Sequence, residues 1–133
     1  QKLIHHVSQK PGKPMWFGVS KNRVPVFALP GNPISTQVCL VRYVIPHLSE
    51  ALGLNPVFQF VKLTEDVRIA TNYTMFLPVQ VCQTNDAVCL AKPVHFEYSG
   101  NLTRLGLTDG FVELKAGQKV FKKGTVLRLF RWN

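Results

Sequence analysis

An α/β segment followed by a small β-barrel is the architecture this sequence predicts, and three observations carry it. Residues 24–29 form a short apolar run that stops at Pro30-Gly31 and leads into a long helical pattern. At Leu54-Asn55-Pro56 the three-and-four spacing gives way to short alternating runs. From there to the end, glycine-bearing turns recur between strand-length segments, the pattern of a small barrel. We therefore divide the chain into 1–55, an α/β segment, and 56–133, a barrel domain.

Taken in order, residues 3–7 read as a strand end that leads into Lys10-Pro11-Gly12-Lys13-Pro14. Both lysines precede a proline, which biases them away from helix. On an extended, polyproline-like path of three residues per turn their ammonium groups project to one side. Gly12 lets the backbone bend or approach a ligand closely. Residues 15–19 and 23–29 read as strands joined across Ser20-Lys21-Asn22. Asn32 is a favoured N-cap, and Pro33 occupies the first helical position, where its missing N–H costs nothing. Ile34, Val38, Val41, Ile45, Leu48 and Leu52 make one apolar stripe, with Pro46 expected to kink the helix and Gly53 to close it.

In the second half, residues 58–60 and 67–70 read as strands on either side of a turn at Glu65-Asp66. Residues 74–83 and 87–94 flank Asn85-Asp86, a two-residue hairpin signal that sets Cys82 opposite Cys89. Ser99 caps a short helical turn through Leu102 and Leu105, and Thr108-Asp109-Gly110 ends it before a strand at 111–114. The final strand, 125–132, is apolar on both faces.

Sixteen Lys and Arg stand against seven Asp and Glu, a formal charge of +9 spread over both halves. This excess suits phosphates, nucleotides or other anions. No polybasic block or basic helix interleaved with aromatics appears, which disfavours nucleic acid as a partner. Cys39, Cys82 and Cys89 form no C-x-x-C pair, and we expect reduced thiols in the cytoplasm. His5 and His6 are adjacent, so on an extended chain they diverge, a poor chelate; no metal site is expected. No run reaches membrane-spanning length, and no membrane partner is expected. The chain does not start with Met, and we expect it to be an incomplete translation product.

Two loops carry the candidate chemistry. Lys10 and Lys13 offer two point charges. The strand, Pro30-Gly31 turn and Asn32-capped helix are expected to present free backbone N–H groups and the positive end of a helix dipole, with the Ser35 hydroxyl beside them. The bland alternative is a basic surface turn followed by an ordinary capped helix.

Lys10-Pro11-Gly12-Lys13-Pro14 with Phe17-Gly18, followed by Leu29-Pro30-Gly31-Asn32-Pro33-Ile34-Ser35, resembles the C-terminal half of the molybdopterin molybdenumtransferases, the molybdenum insertases related to the gephyrin E domain. Val44-Ile45-Pro46-His47-Leu48 and the tail Ser99-Gly100-Asn101-Leu102, Thr108-Asp109-Gly110-Phe111, Gly117 and Gly124 are similar too, so the resemblance covers essentially the whole chain. It implies that residues 1–55 are the C-terminal part of a molybdopterin-binding α/β domain and that 56–133 are the family's C-terminal β-barrel domain. The implied reaction inserts molybdate into adenylylated molybdopterin and releases AMP. Lys10, Lys13, Pro14 and Ser35 map onto the molybdate pocket, and Gly12, Pro30, Gly31 and Asn32 onto the pterin and phosphate loops. No catalytic acid, base or nucleophile is assigned; these residues bind, orient and neutralise charge.

The resemblance also implies what is missing. The Mg²⁺ ligands belong to an acidic, glycine-rich stretch expected upstream, and Tyr73 and Pro78 stand where family arginines often occur. The missing N-terminal portion is the expected partner, with a homodimer when the protein is complete. Alone, the chain is expected to be inactive. Two rivals remain: a non-catalytic fragment or scaffold of this fold, and a basic nucleic-acid-binding barrel.

Overall fold

The structure is a computed structural model, and it describes residues 1–94 and 105–132. The cap expected at Ser99 and the turn through Leu102 lie outside the described residues. Strands β1 (Lys2–His5), β3 (Trp16–Val19) and β4 (Pro25–Ala28) form an antiparallel sheet in the order β1-β3-β4. Between β1 and β3, β2 (Gln9–Lys10) leaves that sheet and pairs in parallel with β7 (Thr74–Gln83), matching Gln9 with Thr74 and Lys10 with Met75.

One helical rod follows β4. It starts as α1 (Pro33–Cys39), passes through a π-helical turn (Leu40–Val44) and ends as α2 (Ile45–Ala51). Asn32 caps it as expected: its side chain accepts from the backbone N–H of Ile34 and of Ser35. The π turn precedes Pro46, which has no N–H to give Arg42 and whose ring would press on that carbonyl in an α-helix. Widening the turn answers both problems, and Ile45 N–H donates to Leu40 O five residues back. The helix ends in a Schellman arrangement, with Gly53 N–H on Glu50 O and Leu54 N–H on Ser49 O.

The π turn also corrects the apolar stripe. Ile34, Val38 and Val41 are buried, whereas Ile45, Leu48 and Leu52 are 45%, 52% and 73% exposed. The wider turn advances the register by one residue, so the second half of the stripe rotates off the packed face.

The second half of the chain is a closed barrel. Strands β5 (Gln59–Leu63), β7, β8 (Cys89–Pro93), β9 (Gly110–Leu114) and β11 (Val126–Arg131) join in the ring β7-β8-β5-β11-β9-β7. Only β5 and β8 run parallel within it. A short pair, β6 (Val67–Arg68) with β10 (Val120–Phe121), covers it. Val61, Leu63, Leu77, Val79, Ala91, Val112, Leu114 and Leu129 fill the main core.

The alternate residues explain why β9 and β11 are apolar on both faces. Phe76, Phe111 and Phe130 face the other way and form a second buried cluster with Val38 and Val41 of the helical rod. Phe111 and Phe130 stack at 5.0 Å between ring centres. The barrel thus has an inner core and an outer, aromatic one under the helix.

The hairpin register differs from the expectation. Gln83 pairs with Cys89 and Cys82 with Leu90, because the loop holds three residues, with Ala87 at φ 60° before Val88. Thr84 N–H donates to Val88 O across it. Cys82 and Cys89 are therefore not opposite one another, and all three cysteines are free thiols.

Candidate functional site

Residues 10–14 do not run as an extended polyproline path. Gly12 takes φ +95°, Met15 N–H returns to Gly12 O, and Val7 N–H donates to Lys13 O, so the segment curls back on its own strand. Its floor is the helical rod. A Cβ on Gly12 would lie 2.7 Å from Cys39 Sγ and 2.5 Å from Gln9 Nε2, so only glycine fits.

Gln9 ties these parts together. Its fully buried side chain donates from Nε2 to Pro11 O at 3.2 Å and to Cys39 Sγ at 3.5 Å, and accepts from the Tyr43 hydroxyl. The Cys39 thiol donates to Gly12 O at 3.9 Å. Burial pushes the Cys39 thiol up to about 11, partly offset by the Gln9 hydrogen bond, and burial raises the Tyr43 hydroxyl as well. Both groups stay protonated at neutral pH and act as hydrogen-bonding struts.

Lys10 and Lys13 point into solvent from this pinned loop, and Pro14 is exposed beside them. The Lys13 ammonium lies 5.5 Å from the centre of the Tyr73 ring, which fixes its direction. Ser35 is one helical turn before Cys39 on the same rod and is buried. Its hydroxyl contacts Asn32 Oδ1 at 3.4 Å. Among the described residues no hydrogen bond joins Lys10 or Lys13 to Ser35. The structure brings the backbones of the two motifs onto one rod and leaves the lysine tips free of it.

The helix start itself differs from the expected cradle. Pro33 has no N–H, Ile34 and Ser35 give theirs to the Asn32 side chain, and Thr36 N–H donates to Asn32 O. The Thr36 hydroxyl also donates to Pro30 O and to Asn32 O, which fastens the buried Pro30 and the Pro30-Gly31-Asn32 turn. The first turn thus keeps its dipole but has spent its N–H donors. Gly31 is exposed, with nothing near where a Cβ would be.

Gln9, Cys39 and Tyr43 are the site residues that sequence reasoning missed, and Tyr73, noted only as a departure from the family arginines, was not expected beside Lys13. Ser35, Cys39 and Tyr43 recur at steps of four beside the apolar stripe, a polar line that marks the face the loop sits on. Nothing local marks Gln9 as a link to the helix, since Cys39 and Tyr43 lie thirty or more residues on.

Comparison with known proteins gives the fold a lineage. Residues 61–129 match the family model for the MoeA C-terminal region (domain IV). The chain belongs to the MoeA family. A molybdopterin molybdenumtransferase of Synechocystis is 39% identical over 132 residues, covering 98% of this chain and 32% of that protein. Two solved molybdopterin biosynthesis MoeA proteins of Pyrococcus horikoshii superpose with TM-score 0.76, at 30% and 20% identity, over 99% and 97% of this chain and 32% of each of theirs. A molybdenum cofactor biosynthesis protein of Pyrococcus furiosus shares the fold at 21% identity and TM-score 0.75, over 97% of this chain and 45% of its own. The chain thus spans about a third of the MoeA relatives named first. No helix among the described residues is long and apolar enough to cross a membrane.

Among the described residues no three His, Cys, Asp or Glu side chains gather where a metal could be held.

Proposed function

We propose that this chain is the C-terminal part of a molybdopterin molybdenumtransferase, acting in molybdenum cofactor biosynthesis, in which residues 10–14 and 30–35 hold molybdate for insertion into adenylylated molybdopterin with release of AMP. The observation that carries the reading is the seating of Gly12 on Cys39, which supports bringing the lysine loop and the Ser35 helix to one oxyanion. Molybdate is the substrate, a tetrahedral dianion. Lys10 and Lys13 neutralise its charge, the helix dipole adds to their field, and the Ser35 hydroxyl can turn from Asn32 to donate. None of these loop residues is assigned as a nucleophile; their contribution is charge, orientation and a rigid floor. The domain division at 55/56, the pterin contacts of Gly12, Pro30, Gly31 and Asn32, the upstream Mg²⁺ ligands, a homodimer of the complete protein and a cytoplasmic setting belong to the same reading.

A non-catalytic scaffold is the second reading, favoured by one observation: the helix N–H donors are already taken by Asn32. AMP release from adenylylated molybdopterin, with Mg²⁺ and molybdate present, separates the two. We expect no turnover by this chain alone, and turnover when the upstream portion of a relative is joined to it. Loss of that turnover in the Lys10→Ala, Lys13→Ala double variant supports the first reading. Unchanged turnover in the double variant overturns the site, and turnover by the chain alone overturns the assignment of the missing parts.

A further inference from the structure

A second cationic place lies between the end of the helical rod and the last barrel strand, and it shares no residue with the loop site. A groove of about 440 Å³ opens there, walled by Pro46, Glu50, Leu54 and Phe58 and holding Arg42 and Arg128. Arg128 is the unusual member. Its Nε is fully shielded from water and meets no acceptor. Its guanidinium carbon lies 3.8 Å from the centre of the Phe58 ring and 4.5 Å from that of Phe130. Those rings attract the cation but accept no hydrogen bond from Nε.

The nearby charges do not satisfy it. Glu113 is engaged by Arg42, whose Nε donates to Oε2 at 2.9 Å. Glu50, exposed on the groove wall, ion-pairs with neither arginine among the described residues. Arg42 therefore has a bound carboxylate, and Arg128 has none of its own among the described residues. Burial and the neighbouring Arg42 both make the charged form of Arg128 less favourable than usual, while Glu113 offsets part of this. Arg128 is thus a half-buried cation with no ion pair of its own among the described residues, and an anion at its outward guanidinium N–H groups would offset part of that cost.

We propose that this groove is an accessory oxyanion site, in which the free guanidinium N–H groups of Arg42 and Arg128 take the carboxylate or phosphate group of a small ligand with an apolar body. The planar fork of each guanidinium matches either group bidentately. Pro46, Leu54 and Phe58 provide the apolar wall, and the volume falls within the range of small-molecule sites. Glu50 faces the same space and repels the incoming anion.

Nitrogen-edited NMR of the arginine Nε–H signals tests this on the whole chain at constant ionic strength. Inorganic phosphate is titrated in one arm and benzoate in the other. The site predicts saturable shifts of the Arg128 and Arg42 signals; saturation with phosphate alone assigns a phosphate ligand, and with benzoate alone a carboxylate. Arg128→Gln should abolish the saturable shift at Arg42. Glu50→Gln, a change at an exposed position that leaves the core intact, should tighten binding roughly two- to fivefold, the scale of one exposed charge contact. Linear, unsaturating shifts in both arms overturn the proposal. So does an affinity left unchanged by Glu50→Gln, or an Arg42 shift that persists in a folded Arg128→Gln variant.

Discussion

The amide of Gln9 donates to the thiol sulfur of Cys39 at 3.5 Å, across thirty residues of sequence. This one contact joins the strand that enters the lysine loop to the helix that carries Ser35. Gln9 is also registered against Thr74 by β2–β7 pairing, so the loop is held by the barrel and by the helix together. Lys10 and Lys13 gain from this a rigid base, while their own side chains remain in water.

Gly12→Ala tests that base. The new methyl group would overlap Cys39 Sγ and Gln9 Nε2 while forcing alanine to φ +95°. We expect a loss of about 2–4 kcal/mol, from backbone strain and overpacking combined. Urea unfolding measures it; a loss below about 0.5 kcal/mol, the range of neutral surface changes, would show that the loop is not seated on the helix.

Cys39 should be the unreactive thiol. Cys82 is exposed and should react with a disulfide reagent at pH 8, whereas Cys39 should react only on unfolding. Its folded pKa of about 11 lies above the unfolded value near 9, so the native state holds the proton more tightly. The stability this gives is fully present below the unfolded pKa and is lost as the pH rises through about 11. Cys39→Ala should remove that alkaline loss from the stability profile. Equal labelling rates for Cys39 and Cys82 in the native state would contradict the account.

Phe111 should be the most costly single truncation of the outer core. It is fully buried, stacks on Phe130, meets Phe76 edge-on at 5.4 Å and touches Trp132 at 5.0 Å between ring centres. Phe111→Ala should cost about 3–5 kcal/mol and alter Trp132 fluorescence at the unfolding transition. A cost near 1 kcal/mol would mean that the helix and barrel are not packed through this cluster.

Much of this fold was legible in the sequence because its signals are local. Asn32-Pro33 fixed the helix start, Gly53 its end, and alternating apolar runs the barrel strands. The parts that escaped are long-range or depend on one residue of register. Pro46 announced a disturbance, but a π turn satisfies it as well as a kink does, and that choice moved Ile45, Leu48 and Leu52 to the surface. Asn85-Asp86 looks like a two-residue loop until Ala87 adopts a positive φ, which shifts Cys82 off Cys89. At the candidate site the lysines, Gly12 and Ser35 stood out by type and spacing. The link from buried Gln9 to the helix and the contact of the Tyr73 ring with Lys13 did not, because each joins residues at least thirty apart in sequence.

The central claim is that the pinned lysine loop binds molybdate, and calorimetric titration of molybdate tests it most directly. The titration uses this chain joined to its upstream portion, with and without Lys13→Ala. Loss of one charge-assisted contact predicts binding weakened by about 1–3 kcal/mol in the variant, with the fold unchanged. Equal molybdate affinity in the two proteins would contradict the assignment.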